Sequence, residues 1–173
     1  IAGSDSGGGA GIQADLKTFC SLHVYGATVI TALTAQNTVD VAGIQYATPE
    51  IVGQQIDAVL GDIGADACKT GMLGTAEIVR MTAEKLRAHN VTKLVVDPVM
   101  ISKSRAQLLN EQAVQTLREE LLPLALVVTP NTAEAEVLTG VPVRCEDDML
   151  HAAALLLKTG VRYVIIKGGH LEG

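Results

Sequence analysis

Apolar positions along the chain switch repeatedly between two spacings. From Ile12 the spacing is helical: Ile12, Leu16, Phe19 and Cys20 fall at i, i+4, i+7 and i+8 on one stripe. Residues 27–34 are then a nearly continuous apolar and β-branched run, the pattern of a strand buried on both faces of a parallel sheet. Residues 38–46 are polar and contain glycine, which predicts a small strand or hairpin lying off the main sheet. Thr48 as N-cap and Pro49 at the first helical position open a helix whose apolar face is Val52, Ile56, Val59 and Leu60.

The alternation continues to the end. Strands are predicted over 65–70, 93–96, 125–128 and 163–167. Between them lie helices over 75–88, from a cap at Asn110 with Val114, Leu117 and Leu121 inward, over 132–139 and over 146–159. The helix over 75–88 buries Val79 and Leu86 and offers Arg80–Glu84 and Glu84–Arg87 as exposed pairs. Strands alternating with amphipathic helices predict an α/β fold, with a mostly parallel central sheet and helices on both faces in three layers. No internal repeat or linker divides the chain, so one domain is expected. Residue 1 falls inside a strand pattern and no terminal helix follows Gly168-Gly169-His170, so a fragment, incomplete at both ends, is expected.

Composition narrows the function classes. Hydrophobic residues are 48% and charged ones 18% of the 173, a globular balance. A net charge of −6 without a Lys/Arg cluster argues against a nucleic-acid partner. No apolar run is long enough to span a membrane, and no signal-peptide pattern is present. Cys20, Cys68 and Cys145 are odd in number and far apart, which suits a reducing cytoplasm, and they read as core residues. His23, His89 and His151 lack partners at metal or triad spacing and read as surface or helix-end residues, His89 favourably near a helix C-terminus.

The candidate chemistry gathers after strand ends. Asp5, Gln36, Met72, Asp97 and Asn131 each follow the carboxyl end of a different predicted strand, the edge where open α/β sheets bind ligands. Four of the five residues from Gly7 to Gly11 are glycine, at the start of the first helix. That turn reads either as a phosphate cradle or as a tight strand-to-helix connection, and it matches neither G-x-x-x-x-G-K-[ST] nor G-x-G-x-x-G in context. Asn131-Thr132-Ala133-Glu134 can be a helix cap, and Asp97-Pro98 a strand-terminating turn. Lys103 can be a solvated loop lysine, and Gln36 an amide satisfying backbone at a strand end.

The string GSDSGGGAGIQADLKT closely resembles the N-terminal signature of hydroxymethylpyrimidine/phosphomethylpyrimidine kinases, members of the ribokinase-like superfamily. Gly7-Gly8 is a mild departure, because a serine usually stands near the second loop glycine. A-Q-N at 35–37, G-M-L at 71–73, D-P-V-M at 97–100, T-P-N-x-x-E at 129–134 and K-G-G-H at 167–170 follow in family order. The resemblance implies a ribokinase-like fold and a pyrimidine pocket walled by Ala10 and Asp15, with Asp5 nearby. Asp15 would bond the ligand's amino or hydroxymethyl group, Gln36 the aminopyrimidine edge, and Met72 would pack on the flat ring. Asp97, Lys103, Asn131 and Lys167 would serve the phosphates and nucleotide, and Glu134 would hold Mg²⁺ through water.

The implied activity is ATP-dependent phosphorylation of 4-amino-5-hydroxymethyl-2-methylpyrimidine, then of its monophosphate, in thiamine diphosphate synthesis. A homodimer is implied, since relatives commonly dimerise. The family's catalytic residue and anion hole lie in a G-x-G-C or G-A-G-D motif beyond Gly173, so the isolated stretch is expected to bind weakly and turn over little. The alternatives are a pyridoxine/pyridoxal kinase and a non-catalytic pyrimidine-binding module.

Overall fold

The structure is a computed structural model and describes residues 1–100 and 111–169. Lys103, the expected cap at Asn110 and His170 lie outside the described residues. In chain order the elements are α1 (Gly11–Ser21), β1 (Ala32–Gln36), β2 (Val41–Tyr46), α2 (Pro49–Ala58), β3 (Cys68–Thr70), α3 (Ala76–Ala88), β4 (Leu94–Val96), α4 (Glu111–Thr116), β5 (Val127–Val128), α5 (Thr132–Thr139), α6 (Glu146–Leu157) and β6 (Tyr163–Val164). β3, β4, β5 and β6 form a parallel sheet in that order, while β1 and β2 pair antiparallel.

The first four residues join the two sheets. On one side the Ile1 backbone nitrogen donates to the Lys69 carbonyl at 2.9 Å. The Gly71 N–H donates to the Ile1 carbonyl at 2.9 Å and the Gly3 N–H to Met72 at 3.1 Å. On the other side the Ala2 N–H reaches Val29 at 3.0 Å, Thr31 returns to Ala2 at 3.0 Å and the Ser4 N–H reaches Ala32 at 2.8 Å. The backbone order across the sheet is therefore 29–32, 1–4, β3, β4, β5, β6. The strands run parallel, but the order in which the chain adds them reverses between segment 1–4 and β3, which makes that gap the topological switch point. Right-handed crossovers place α1 on one face and the helices of the later crossovers on the other.

Packing follows the predicted stripes. Val52 and Ile56 of α2, Val79, Ala83 and Leu86 of α3, and Leu94 and Val96 of β4 are buried in one cluster with Leu117 and Leu121. α2 is capped by Thr48, whose side chain accepts from the Ile51 N–H, with Pro49 in its first turn. α2 and α3 are clamped at their ends, because Asp57 bonds both Lys85 and the ring of His89, the latter at 2.9 Å. Beyond Thr116 the α4 helix widens into a π-turn over Leu117–Leu121.

Several expectations change. The run 27–34 is not one buried parallel strand: it pairs with segment 1–4 only around Val29–Ala32 and then leaves the sheet as β1, half exposed, to form a hairpin with β2. The segment 38–46, expected to hold a small strand or hairpin off the main sheet, holds the single strand β2, whose hairpin partner is β1. Arg80 pairs with Glu120 at 3.1 Å rather than with Glu84, because α3 packs beside the π-turn that carries Glu120. Cys20 and Cys145 are exposed and Cys68 half-buried, so the cysteines are not a core set. Cys20 sits at the end of the α1 stripe, which buries only Ile12 fully, and Cys145 is the N-cap of α6.

The hairpin is anchored at Gly74, which has φ +89° and lies beneath the Tyr46 ring. A Cβ there would be strained and would strike the ring. Gly74→Ala is expected to cost about 1–3 kcal/mol, read as a lower urea midpoint with an unchanged slope.

Candidate active site

The glycine turn is closed on an internal anion. Asp5, 4% exposed, accepts the N–H groups of Gly7 at 2.8 Å, Gly9 at 2.9 Å and Ala10 at 2.8 Å. The amides that could have cradled a phosphate are thus spent on a side chain, and the turn is a built connection rather than a phosphate loop. Lys17 donates to the Gly8 carbonyl at 2.6 Å and Gln13 accepts the Asp5 N–H at 2.7 Å, so α1 holds its own entry loop.

The same loop fixes the end of β1. Ser6 donates to the Gln36 carbonyl at 2.6 Å and accepts the Gln36 N–H at 2.7 Å. Thr34 donates to the Ser4 carbonyl at 2.8 Å. The Gln36 backbone is therefore satisfied by Ser6, and its side-chain amide has no intramolecular partner among the described residues. Gly3 leaves the space that the tip of Met72 fills, so the thioether lies directly over the first segment.

These residues line a cavity of about 520 Å³ at the switch point, bounded by Gly9, Ala10, Asp15, Gln36, Met72 and Asp97 among others. A larger cavity, about 720 Å³, surrounds the strand entries and is lined mainly by apolar residues such as Phe19, Val29, Ile56 and Leu60. Ligand chemistry favours the first, where polar side chains converge at the carboxyl edge.

Asp97 links the cavity to the next strands. Its carboxylate accepts from Lys167 Nζ at 2.8 Å and from the Thr129 hydroxyl at 3.3 Å. Lys167 forms a parallel bridge with Asn131, and its N–H bonds the Pro130 carbonyl at 2.8 Å. Asn131 and Glu134 make a reciprocal capping box for α5, each backbone N–H donating to the other's side chain at 2.8 Å. Glu134 is 5% exposed, and burial pushes its proton affinity above the usual carboxylate value despite amide donors and nearby Lys167. A buried carboxylate short of positive charge fits an oxygen-seeking cation nearby. No cluster of three acidic, His or Cys ligands occurs among the described residues, so such a cation would take most of its ligands from phosphate and water.

The structure thus brings Ala10, Asp15, Gln36, Met72 and Asp97 to one cavity, and Asp97 to Lys167, Asn131 and Glu134 along the same rim. Two contributors went unread in the sequence. Ser6 gives no signal beyond loop composition. Lys69 does, as a lone charge in the apolar run of a predicted strand, where it needs a partner; its ammonium bonds both oxygens of Asp15 at 3.0 and 3.1 Å.

The chain is thus an α/β protein with a small-ligand cavity at the switch point of its sheet, beside a lysine–carboxylate rim. A family model described as phosphomethylpyrimidine kinase matches residues 5–173. The chain belongs to that family. Hydroxymethylpyrimidine/phosphomethylpyrimidine kinase of Bacillus subtilis is 52% identical over 170 residues, covering 98% of this chain and 63% of that protein. The bifunctional thiamine biosynthesis protein ThiED of Geobacter sulfurreducens is 53% identical over 171 residues, 99% of this chain and 35% of its own length. Among solved structures, phosphomethylpyrimidine kinase from Clostridium difficile 630 superposes with a TM-score of 0.92 at 48% identity, covering 99% of this chain and 74% of that one. Pyridoxal kinase from Staphylococcus aureus in complex with AMP-PCP gives 0.89 at 41%, covering 99% and 63%. The chain spans less than two thirds of the length of these two curated relatives.

Two outcomes test the site. Asp5→Asn leaves one acceptor oxygen and turns an amide NH₂ toward buried N–H donors. It should cost about 2–3 kcal/mol in urea unfolding, with faster hydrogen exchange at Gly7, Gly9 and Ala10. For Glu134 the sign runs the other way. A carboxyl whose folded value is raised above the ordinary 4.5 destabilises the native state at higher pH, and the penalty fades as pH falls toward that value. Glu134→Gln, which keeps the cap, should therefore not lower stability at neutral pH. Its advantage should vanish in melts taken near the ordinary glutamate range.

Proposed function

We propose that the full-length protein phosphorylates 4-amino-5-hydroxymethyl-2-methylpyrimidine and then its monophosphate, using ATP with Mg²⁺, in thiamine diphosphate synthesis. The observation that carries this is Asp97. It lines the cavity with Gln36 and Met72 while its carboxylate is bonded to Lys167, so acceptor pocket and phosphate rim share a wall. The names of the Bacillus and Geobacter relatives support the substrate and the pathway.

The residues divide by chemistry. Gln36 presents donor and acceptor together, matching the ring nitrogen and amino group of an aminopyrimidine. Asp15 accepts from the amino or hydroxymethyl group, Met72 covers the ring face, and Ala10 leaves room for the substituent. Asp97 stands near the phosphates or metal and holds Lys167 there, Asn131 and Lys167 lie on the same nucleotide side, and Lys103 is assigned to neutralise phosphate charge. Glu134 holds waters of the Mg²⁺ shell, whose charge would offset that of the transferred phosphoryl group. In-line positioning and exclusion of water supply the rate.

A second reading, phosphorylation of pyridoxal, is favoured by the Staphylococcus aureus likeness. A homodimer through the outer face of the β1–β2 hairpin is proposed as well, since Leu33 there is 55% exposed. No helix among the described residues is long and apolar enough to cross a membrane, and the separate free cysteines fit the cytoplasm.

Single-turnover assays of the full-length protein with each vitamin and ATP test the reading. Faster transfer to the pyrimidine alcohol supports it; preference for pyridoxal, or no transfer, overturns it. Gln36→Leu should raise KM for the pyrimidine about 10–100-fold, with a smaller effect on kcat.

A further inference from the structure

One ion pair, Asp15 with Lys69, is built into the wall of the cavity. Four carboxylates line it, Asp5, Asp15, Asp40 and Asp97, and among the described lining residues Lys69 is the one cation. Three of the four are occupied elsewhere. Asp5 is held by three loop amides. Asp40 accepts its neighbour Val41's N–H at 2.7 Å, and Asp97 is bonded to Lys167. Asp15 alone is matched by Lys69, through both oxygens, with the side chains 21% and 27% exposed.

The pair is also positioned. Lys69 comes from β3 and Asp15 from α1, so the bond ties the helix to the strand across the switch point. Both residues line the larger cavity too, so the pair stands as a partition between the two spaces.

Resting on the pyrimidine reading above, we infer that Lys69 is a specificity-determining residue. It offsets the Asp15 carboxylate and aims it into the cavity, so that the site takes an uncharged heteroaromatic alcohol and rejects a cationic ring of the same shape. Without the lysine, the Asp15 carboxylate would stand unpaired in the cavity wall and attract a cation. A part-exposed pair of charges at this range, in an effective dielectric near that of a protein surface, suffices for about a ten-fold preference.

The test compares two probes on the full-length protein by titration calorimetry: 4-amino-5-hydroxymethyl-2-methylpyrimidine and its ring N-methylated, permanently charged form. Their affinity ratio cancels any loss common to both, including partial destabilisation. In the wild type the neutral probe should bind about ten-fold tighter. Lys69→Met should move the ratio about ten-fold toward the cation, while Lys69→Arg should retain the wild-type ratio. Lys69→Gln serves as the second neutral variant should Lys69→Met fail to fold, with the same shift expected. A ratio changed less than about two-fold in the folded neutral variant overturns the inference and leaves the pyrimidine reading intact. A wild-type protein that binds neither probe overturns both.

Discussion

Insertion of residues 1–4 between residues 29–32 and 69–72 is the constraint on which the remainder of the site depends. Six backbone hydrogen bonds between 2.8 and 3.1 Å hold this segment from both sides. They convert a separate hairpin and a four-stranded sheet into one surface whose strand order reverses at the insertion. The reversal leaves a crevice at the carboxyl edge, because the crossovers on either side depart to opposite faces. Asp5, Met72 and the glycine turn flank that crevice as a consequence of topology, before any ligand chemistry is considered.

Around the crevice, nearly every charge is already matched within the protein. Asp5 is saturated by amides, Asp97 by Lys167 and Thr129, Asp15 by Lys69, and Asn131 with Glu134 by reciprocal capping. This arrangement fixes side-chain directions at low cost in entropy and preorganises the wall against which a ligand would dock. Glu134 departs from it, since burial leaves its carboxylate under-compensated. That imbalance lies on the phosphate side of the rim, where additional positive charge would relieve it.

Much of this was readable from residue order. Thr48-Pro49, the Asn131–Glu134 spacing and the apolar stripes of α2 and α3 specify local structure through nearest neighbours, and the structure contains them where they were expected. The motif string in family order led to the family that the comparisons established. Readings that depended on distant partners fared differently. Arg80 found Glu120 rather than a residue on its own helix, the run 27–34 was divided between two pairings, and the cysteine pattern did not translate into burial.

The sequence by itself determined the alternation of strands and helices, their caps, and which residues follow each strand, because these are set by propensities and periodicities within a few positions. Only the tertiary structure decided that Asp5 fills the glycine turn, that Ser6 fixes Gln36, and that Lys69 faces Asp15. These are contacts across many residues of chain, and backbone closure selects them among many carboxylates and lysines of equal local standing. A charge's partner is a property of the fold, and nothing in its neighbours along the chain encodes it.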